Sequence, residues 1–141
     1  MNHRNKKYIN FALLSLCLVL IAIFFRKPTV DGDFSYYLKM QSIEANKAAP
    51  FMVDENQRFD SAASTDKTMI YTFTLINAVK DGADLVLFKI ETEAHLRNTS
   101  CKNEGIKQDL IRGASYKYMF LDKNGELLLS TILTKDECKL A

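Results

Sequence analysis

The longest apolar run of the chain lies near its N-terminus. Residues 8–25 read YINFALLSLCLVLIAIFF and carry no charged side chain. A helix of this length spans about 27 Å at 1.5 Å per residue, close to the roughly 30 Å hydrocarbon core of a bilayer. Basic residues flank the run on both sides: Arg4, Lys6 and Lys7 before it, and Arg26 and Lys27 after it. We therefore predict a single transmembrane helix over residues 8–25.

A cleaved signal peptide and a lipoprotein signal are the alternatives to this anchor. The run ends Phe24-Phe25-Arg26 and lacks the small residues of a cleavage site. Cys17 follows Leu16 and lies inside the run, so it is a poor lipidation site. Three basic residues before the run against two after it place the N-terminus in the cytoplasm. The predicted parts are then a basic cytoplasmic tail (1–7), a single span of the inner membrane (8–25), a linker (26–32) and a domain outside the cytoplasm (33–141).

The rest of the chain alternates helical and strand patterns. Residues 33–48 and 84–97 have apolar side chains at helical spacing, which predicts one inward stripe of Tyr36, Met40 and Ile43 and another of Val86, Leu87, Ile90 and Ala94. A short helical turn is predicted at residues 108–111, ending at Gly113.

Four segments are predicted to be strands. Residues 68–76 alternate in polarity most clearly, and residues 57–63 form a second candidate that leads into a turn at residues 65–67. Residues 116–131 read as a hairpin around the turn signal Asn124-Gly125. The order α-β-β-α-β-β predicts an α+β sandwich, an antiparallel sheet with helices on one face.

Charge is unevenly distributed along the chain. Residues 1–27 carry five basic residues and no acid, whereas the remaining residues hold 14 Lys/Arg against 17 Asp/Glu. A mildly acidic domain lacks the basic surface that nucleic-acid binding requires. We therefore expect no nucleic-acid partner.

Two cysteines lie outside the apolar run. An even pair in a small exported domain predicts a disulfide between Cys101 and Cys138, with two unpaired buried thiols as the alternative. Two thiols and one domain histidine, His95, do not make the four-ligand set of a structural zinc site. No metal or other cofactor is expected.

No catalytic motif stands out in the domain. HExxH, GxSxG, P-loop and GxGxxG patterns are absent from the sequence. On the predicted helix His95 lies opposite the inward stripe, which favours a solvent-facing position without a nucleophile beside it. The prediction is a domain that is not an enzyme and takes no small-molecule substrate.

The densest polar cluster is the candidate interaction segment. It contains Asp54, Glu55, Arg58, Phe59 and Asp60. The three carboxylates of Asp54, Glu55 and Asp60 could perform acid–base chemistry in a small hydrolase or bind a cation. A charged turn beside an edge strand is the simpler interpretation, and no loop glycine supports a calcium-type site.

Several segments resemble a group of small bacterial proteins of unassigned function. The matching residues are Pro50 to Glu55, Arg58 to Ser61, Tyr71 to Asn77, Cys101, Tyr118 to Gly125, and Asp136-Glu137-Cys138. They are drawn from about two-thirds of the chain, and the Val-Asp-Glu-x-x-Arg-Phe-Asp-Ser run is moderately specific. The resemblance implies a bacterial, envelope-facing domain with both cysteines kept as a pair, and it implies no activity.

These observations lead to one functional hypothesis and two alternatives. A membrane tether raises the effective concentration of a domain towards its neighbours at the bilayer. We therefore expect a membrane-tethered protein-interaction module with an unidentified protein partner, an accessory subunit of an envelope or secretion complex. The alternatives are a protein that neutralises a toxin or lytic enzyme, and the small hydrolase.

Overall fold

A computed structural model describes residues 30–140, and their side chains from Phe34 onward. Its elements are helix α1 (Val30–Asn46), strands β1 (Phe51–Met52), β2 (Gln57–Thr65) and β3 (Thr68–Leu75), a 3₁₀ turn (Lys80–Gly82), helices α2 (Leu85–Ser100) and α3 (Glu104–Ile111), and strands β4 (Ser115–Leu121) and β5 (Leu127–Leu133). The predicted span of residues 8–25 lies outside the described residues. Within residues 30–140, no helix is long and apolar enough to cross a bilayer.

The sheet is mixed, so the predicted antiparallel α-β-β-α-β-β sandwich is wrong. Its strand order is β1-β2-β3-β4-β5, and β3 pairs with β4 in parallel while every other pair is antiparallel. Strand β3 ends at Leu75 and β4 begins at Ser115, with α2 and α3 between them. A parallel strand must begin at the same end of the sheet as its neighbour. A crossover of this length can bring the chain back to that end, which a tight turn cannot. The fold is α+β, with the order α-β-β-β-α-α-β-β.

Residues with positive φ mark three of the chain reversals. Asp66 has φ 51° in the turn between β2 and β3. Gly125 has φ 84° between β4 and β5, and Gly113 has φ 93° just after α3. A side chain with a Cβ atom is disfavoured in this region of φ, which explains the two glycines and the short polar Asp.

The hydrophobic core lies on one face of the sheet, which we call the inner face. On β4, the side chains of Tyr116, Tyr118 and Phe120 alternate inward. The three helices pack against this face through side chains that include Phe34 and Leu38 of α1 and Leu110 of α3, and Phe88 and Leu96 of α2 pack against the same core. The opposite face, here called the outer face, carries Ile70, Thr72, Met119, Ser130 and Ile132, because side chains alternate along each strand.

The predicted inward stripe of α1 faces solvent. Tyr36, Met40 and Ile43 are 62%, 44% and 46% exposed, while Phe34 and Leu38 are buried. Both sets repeat at helical spacing, on opposite sides of the helix. Periodicity alone therefore cannot say which side meets the sheet.

Helix α2 shows the same reversal. Val86, Leu87 and Ile90 are 71%, 50% and 59% exposed, and Ala94 is exposed as well. Instead, Phe88 and Leu96 pack against the core. The bulkier Phe88 stacks edge-on against Phe120, with ring centroids 5.7 Å apart, so it fills the space over β4 better than the smaller stripe residues.

The predicted disulfide is confirmed. Cys101 and Cys138 are bonded, with a sequence separation of 37. Cys101 caps the C-terminal end of α2, and Cys138 lies in the turn that follows β5. The bond therefore fixes the last turn of α2 to the C-terminal segment.

We expect the double variant Cys101→Ser/Cys138→Ser to be less stable by about 4 kcal/mol, because a loop of this length is no longer closed in the unfolded chain. Denaturant unfolding of the non-reduced proteins measures the difference. Cys17→Ser is the matched control and should leave the midpoint unchanged. A midpoint equal to wild type in the double variant would contradict a stabilising role for the bond.

Asp122 ties the β4–β5 turn to the 3₁₀ segment. Its side chain is fully buried and accepts backbone N–H groups of Lys80 (3.0 Å), Asn124 (2.8 Å) and Glu126 (2.9 Å). Backbone N–H donors, Glu126 first, hold the pKa of Asp122 below its usual value, although burial acts in the opposite direction.

Because the folded-state pKa of Asp122 is depressed, its contribution to stability is complete above the unfolded value of about 3.9 and is lost as the pH falls through the folded value. We expect Asp122→Asn to lower stability at pH 7 and to reduce the loss of stability between pH 7 and acid conditions. Urea unfolding across that range provides the measurement. Asp136→Asn, at an exposed position, is the control. If Asp122→Asn loses as much stability between pH 7 and acid conditions as the wild type does, another carboxylate dominates that loss.

Candidate functional site

Five aromatic side chains form a ladder on the inner face of the sheet. Strand register places Phe59, Phe73 and Phe120 side by side, with ring centroids 5.5 Å apart for the first pair and 5.4 Å for the second. One step along, Tyr71 lies beside Tyr118 at 5.8 Å. Cross-strand aromatic pairs at such distances attract each other as well as bury area. The ladder therefore makes a firm apolar floor.

The helices cover this floor only in part. Two adjoining cavities, of about 430 and 390 Å³, lie over it and share Val53, Phe73 and Tyr118 as lining residues. The smaller cavity runs between Ala45 of α1 and Phe51 of β1. The larger cavity runs along α2 and is lined there by Phe88, Glu91, Thr92, His95, Leu96 and Thr99. We call the two cavities together the inner groove.

The rim of the inner groove is acidic. Asp54 and Glu91 line it, and no Lys or Arg does so in the described part of the chain. Asp54 is held in place because its Oδ1 accepts the backbone N–H groups of Asn56 (2.7 Å) and Gln57 (2.8 Å). Glu91 and His95 project from the exposed side of α2 that faces the groove. An apolar floor is thus bordered by negative charge.

The tyrosine hydroxyl groups on the inner face stay protonated at neutral pH. Burial raises the pKa of Tyr71 to about 12, with smaller contributions from Tyr118 and Asp109. Burial likewise raises the pKa of Tyr118, whose hydroxyl lies 3.1 Å from Ser100 Oγ. Tyr116 donates a hydrogen bond of 2.7 Å to Asp109, and burial followed by that bond raises its pKa too. No phenolate is available in the floor at neutral pH.

The structure divides the predicted interaction segment between two faces of the sheet. Asp54 lies at the groove rim, Phe59 lies in its floor, and Glu55 is exposed in the turn. Arg58 and Asp60 lie on the outer face, where Asp60 accepts hydrogen bonds from Arg58 Nε and from Thr74 Oγ1. A β-bulge at Asp60, between Phe59 and Ser61, interrupts the regular alternation of side chains along β2.

Two of the three carboxylates proposed for a hydrolase therefore do not meet. Asp54 lies at the groove rim and Asp60 on the outer face, so these two do not form a pair for acid–base chemistry. Among residues 30–140, no group of three or more His, Cys, Asp or Glu side chains is placed to hold a metal ion.

Sequence reasoning missed the α2 wall of the groove. His95 was expected to face solvent, and it does so while lining the groove with Thr92 and Thr99. Phe88, Thr92, His95 and Thr99 follow helical spacing, which was the available signal. The more apolar stripe of Val86, Leu87 and Ile90 on the same helix drew attention away from this pattern.

The sequence matches no known protein-family model and no curated protein. The fold, however, is similar to that of three solved structures. A Pseudomonas aeruginosa protein described as secreted has a TM-score of 0.68 and 18% identity, over 79% of this chain and 98% of that one. Pilotin EpsS of the Vibrio vulnificus type 2 secretion system has a TM-score of 0.66 and 10% identity, over 77% and 94% of the two chains. Pilotin AspS of the Vibrio cholerae type II secretion system has a TM-score of 0.61 and 14% identity, over the same shares.

We expect Tyr71 to remain mostly protonated at pH 11, because its folded-state pKa is about 12. The unfolded tyrosine ionises near 10, so this group also lowers stability as the pH rises above about 10. Absorbance at 295 nm should rise equally for wild type and Tyr71→Phe between pH 7 and pH 11, with far-UV CD as the check on folding. In denaturant, the absorbance rise of the wild type should exceed that of the variant by the contribution of one ionised tyrosine. The same excess in the folded protein would contradict the burial of this hydroxyl.

Proposed function

We propose that this chain is an accessory subunit of a bacterial secretion or envelope complex, and that its inner groove binds an apolar segment of a partner subunit. The observation that carries the proposal is the partly uncovered aromatic floor. Tyr71, Phe73 and Leu75 belong to the central strand of the sheet, yet each keeps part of its surface accessible. A central strand normally buries such residues beneath its own helices, so an open apolar groove here favours binding.

The fold supports the same assignment. Two of the similar structures are pilotins of type II secretion systems, by their own descriptions. The likeness covers 77% of this chain and 94% of each pilotin, although the low identities make it a likeness of fold alone. It supports a role without catalysis, located at the cell envelope.

The chemistry of the groove specifies the segment that it accepts. Tyr71 and Phe73 offer accessible aromatic surface to large apolar side chains, and the buried Phe59 and Phe120 support Phe73 on either side. The open sides of the groove admit a continuous chain. Asp54 and Glu91 on the rim favour Lys or Arg on either side of those apolar residues. We therefore assign the groove to an apolar protein segment with basic flanks.

Site-specific photocrosslinking in intact cells tests this function. We expect a photoreactive residue at His95 to capture one partner, and the captured peptide to be apolar with basic flanks. The same residue at Lys117, on the outer face, is the matched control and should capture far less. Recovery of a toxin or lytic enzyme at His95 would instead support the neutralising alternative. Equal yields at the two positions would contradict the groove as the binding site.

Charge reversal tests the rim. We expect Asp54→Lys/Glu91→Lys to reduce the crosslinking yield at His95 by roughly tenfold, because charged pairs at an interface rim steer association and two are reversed. Glu104→Lys/Asp136→Lys makes the same change in net charge at exposed positions away from the groove. A loss of equal size in both variants would assign the effect to overall charge.

A further inference from the structure

Helix α1 has two apolar sides, and only one of them meets the sheet. Phe34 and Leu38 are buried in the core. Tyr36, Met40 and Ile43 follow at i, i+4 and i+7 on the opposite side and are 62%, 44% and 46% exposed. We call these three residues the outward stripe. Exposed apolar side chains that are aligned in this way form a contiguous patch, which marks an interaction surface.

The outward stripe follows closely in the chain on the apolar run of residues 8–25. The run ends at Phe25, and α1 begins at Val30. A connection of this length spans at most about 18 Å when it is fully extended. A bilayer that holds the run is therefore within reach of α1. Pro28 lies between the two, and proline disfavours one helix that passes through both, so α1 can lie along the surface of that bilayer.

The side chains of the outward stripe suit the boundary between lipid headgroups and acyl chains. Tyrosine favours this zone because its ring is apolar and its hydroxyl group is polar. Tyr36 belongs to the stripe, and Tyr37 beside it is 38% exposed. Met40 and Ile43 carry no polar group that would resist entry into the apolar layer. A helix with such a side lies in the plane of the interface.

The charges around the outward stripe nearly balance. The basic residues beside it are Lys39, Lys47 and, next to Tyr37, Arg112 of α3, and the acidic residues of α1 are Asp31, Asp33 and Glu44. Glu44 is paired with Lys47 at 2.6 Å. Apolar contact, rather than attraction to anionic lipid, therefore has to supply most of the binding. The long basic side chains can still extend towards headgroup phosphates.

We propose that the outward stripe of α1 lies on the surface of a lipid bilayer, with Tyr36, Met40 and Ile43 inserted between headgroups and acyl chains. This contact depends on the membrane attachment predicted for residues 8–25, and not on the partner proposed for the inner groove. Ala45 lines the groove and lies on the opposite side of α1 from the stripe. Contact with lipid therefore leaves the groove open to a protein partner.

Contact quenching by brominated lipid tests this placement. The full-length chain, in a Cys17→Ser background, is reconstituted in phosphatidylcholine vesicles with a fluorescent label on Ile43→Cys or on Ile132→Cys. The two positions are equally exposed, at 46%, but Ile132 lies on the outer face of the sheet. We expect bromine close to the headgroups to quench the label at residue 43 roughly fivefold more strongly, because an interfacial helix lies about 5–10 Å into that boundary. Equal quenching at the two positions would overturn the proposal, as would a chain that fails to float with the vesicles.

Substitution by aspartate tests the side chains themselves. With the label on Tyr36→Cys, we expect Met40→Asp/Ile43→Asp to reduce the quenching roughly fivefold, because a carboxylate resists entry into the apolar layer. Leu127→Asp/Ile132→Asp is the matched control, since these positions are 43% and 46% exposed, and it should retain the quenching. Far-UV CD confirms that both variants are folded. Quenching that persists in the α1 variant, or that appears only when anionic lipid is added, would overturn the proposal. Crosslinking from the groove is measured separately, so a failure here leaves the proposed partner unaffected.

Discussion

The parallel pairing of β3 with β4 is the constraint on which the rest of the fold depends. Strands that run in the same direction cannot be joined by a tight turn, so the chain has to cross back over the sheet between Leu75 and Ser115. That crossover places α2 and α3 on the inner face. Helix α1 arrives there separately, from before the sheet, and the two approaches leave the floor between Ala45 and Phe88 uncovered. The groove is therefore a product of topology as much as of side-chain choice.

Local signals in the sequence predicted most of the elements. Strict alternation located β3 to within one residue, and Asn124-Gly125 located the β4–β5 turn, because both features depend only on neighbouring residues. The parallel pairing depends on contacts between residues 47 positions apart, such as Thr68 and Ser115, for which alternation carries no information. The prediction of which side of each helix is buried failed for a related reason. Both α1 and α2 carry apolar residues on two sides, and only the shape of the sheet decides which side is buried.

The candidate site was predictable in pieces. The run from Asp54 to Asp60 drew attention as a cluster of charges, yet adjacent strand residues point to opposite faces, and the bulge at Asp60 shifts that alternation. Phe59 and Asp60 therefore belong to different surfaces although they are neighbours in the chain. The groove instead combines Phe59 with Phe73, Phe120 and the His95 side of α2. Those residues come from four separate elements, and their meeting follows from strand register.

The disulfide has a topological consequence for the finished domain. Cys101 and Cys138 bracket α3, β4 and β5, so the covalent ring that they close contains α3 and the whole β4–β5 hairpin. The exposed turn between β4 and β5 lies inside this ring. A protease that cuts at Lys123 would open the ring and leave two polypeptides joined by sulfur, with β4 and β5 still bonded to each other along their length. Under oxidising conditions the domain would survive such a nick as a single molecule.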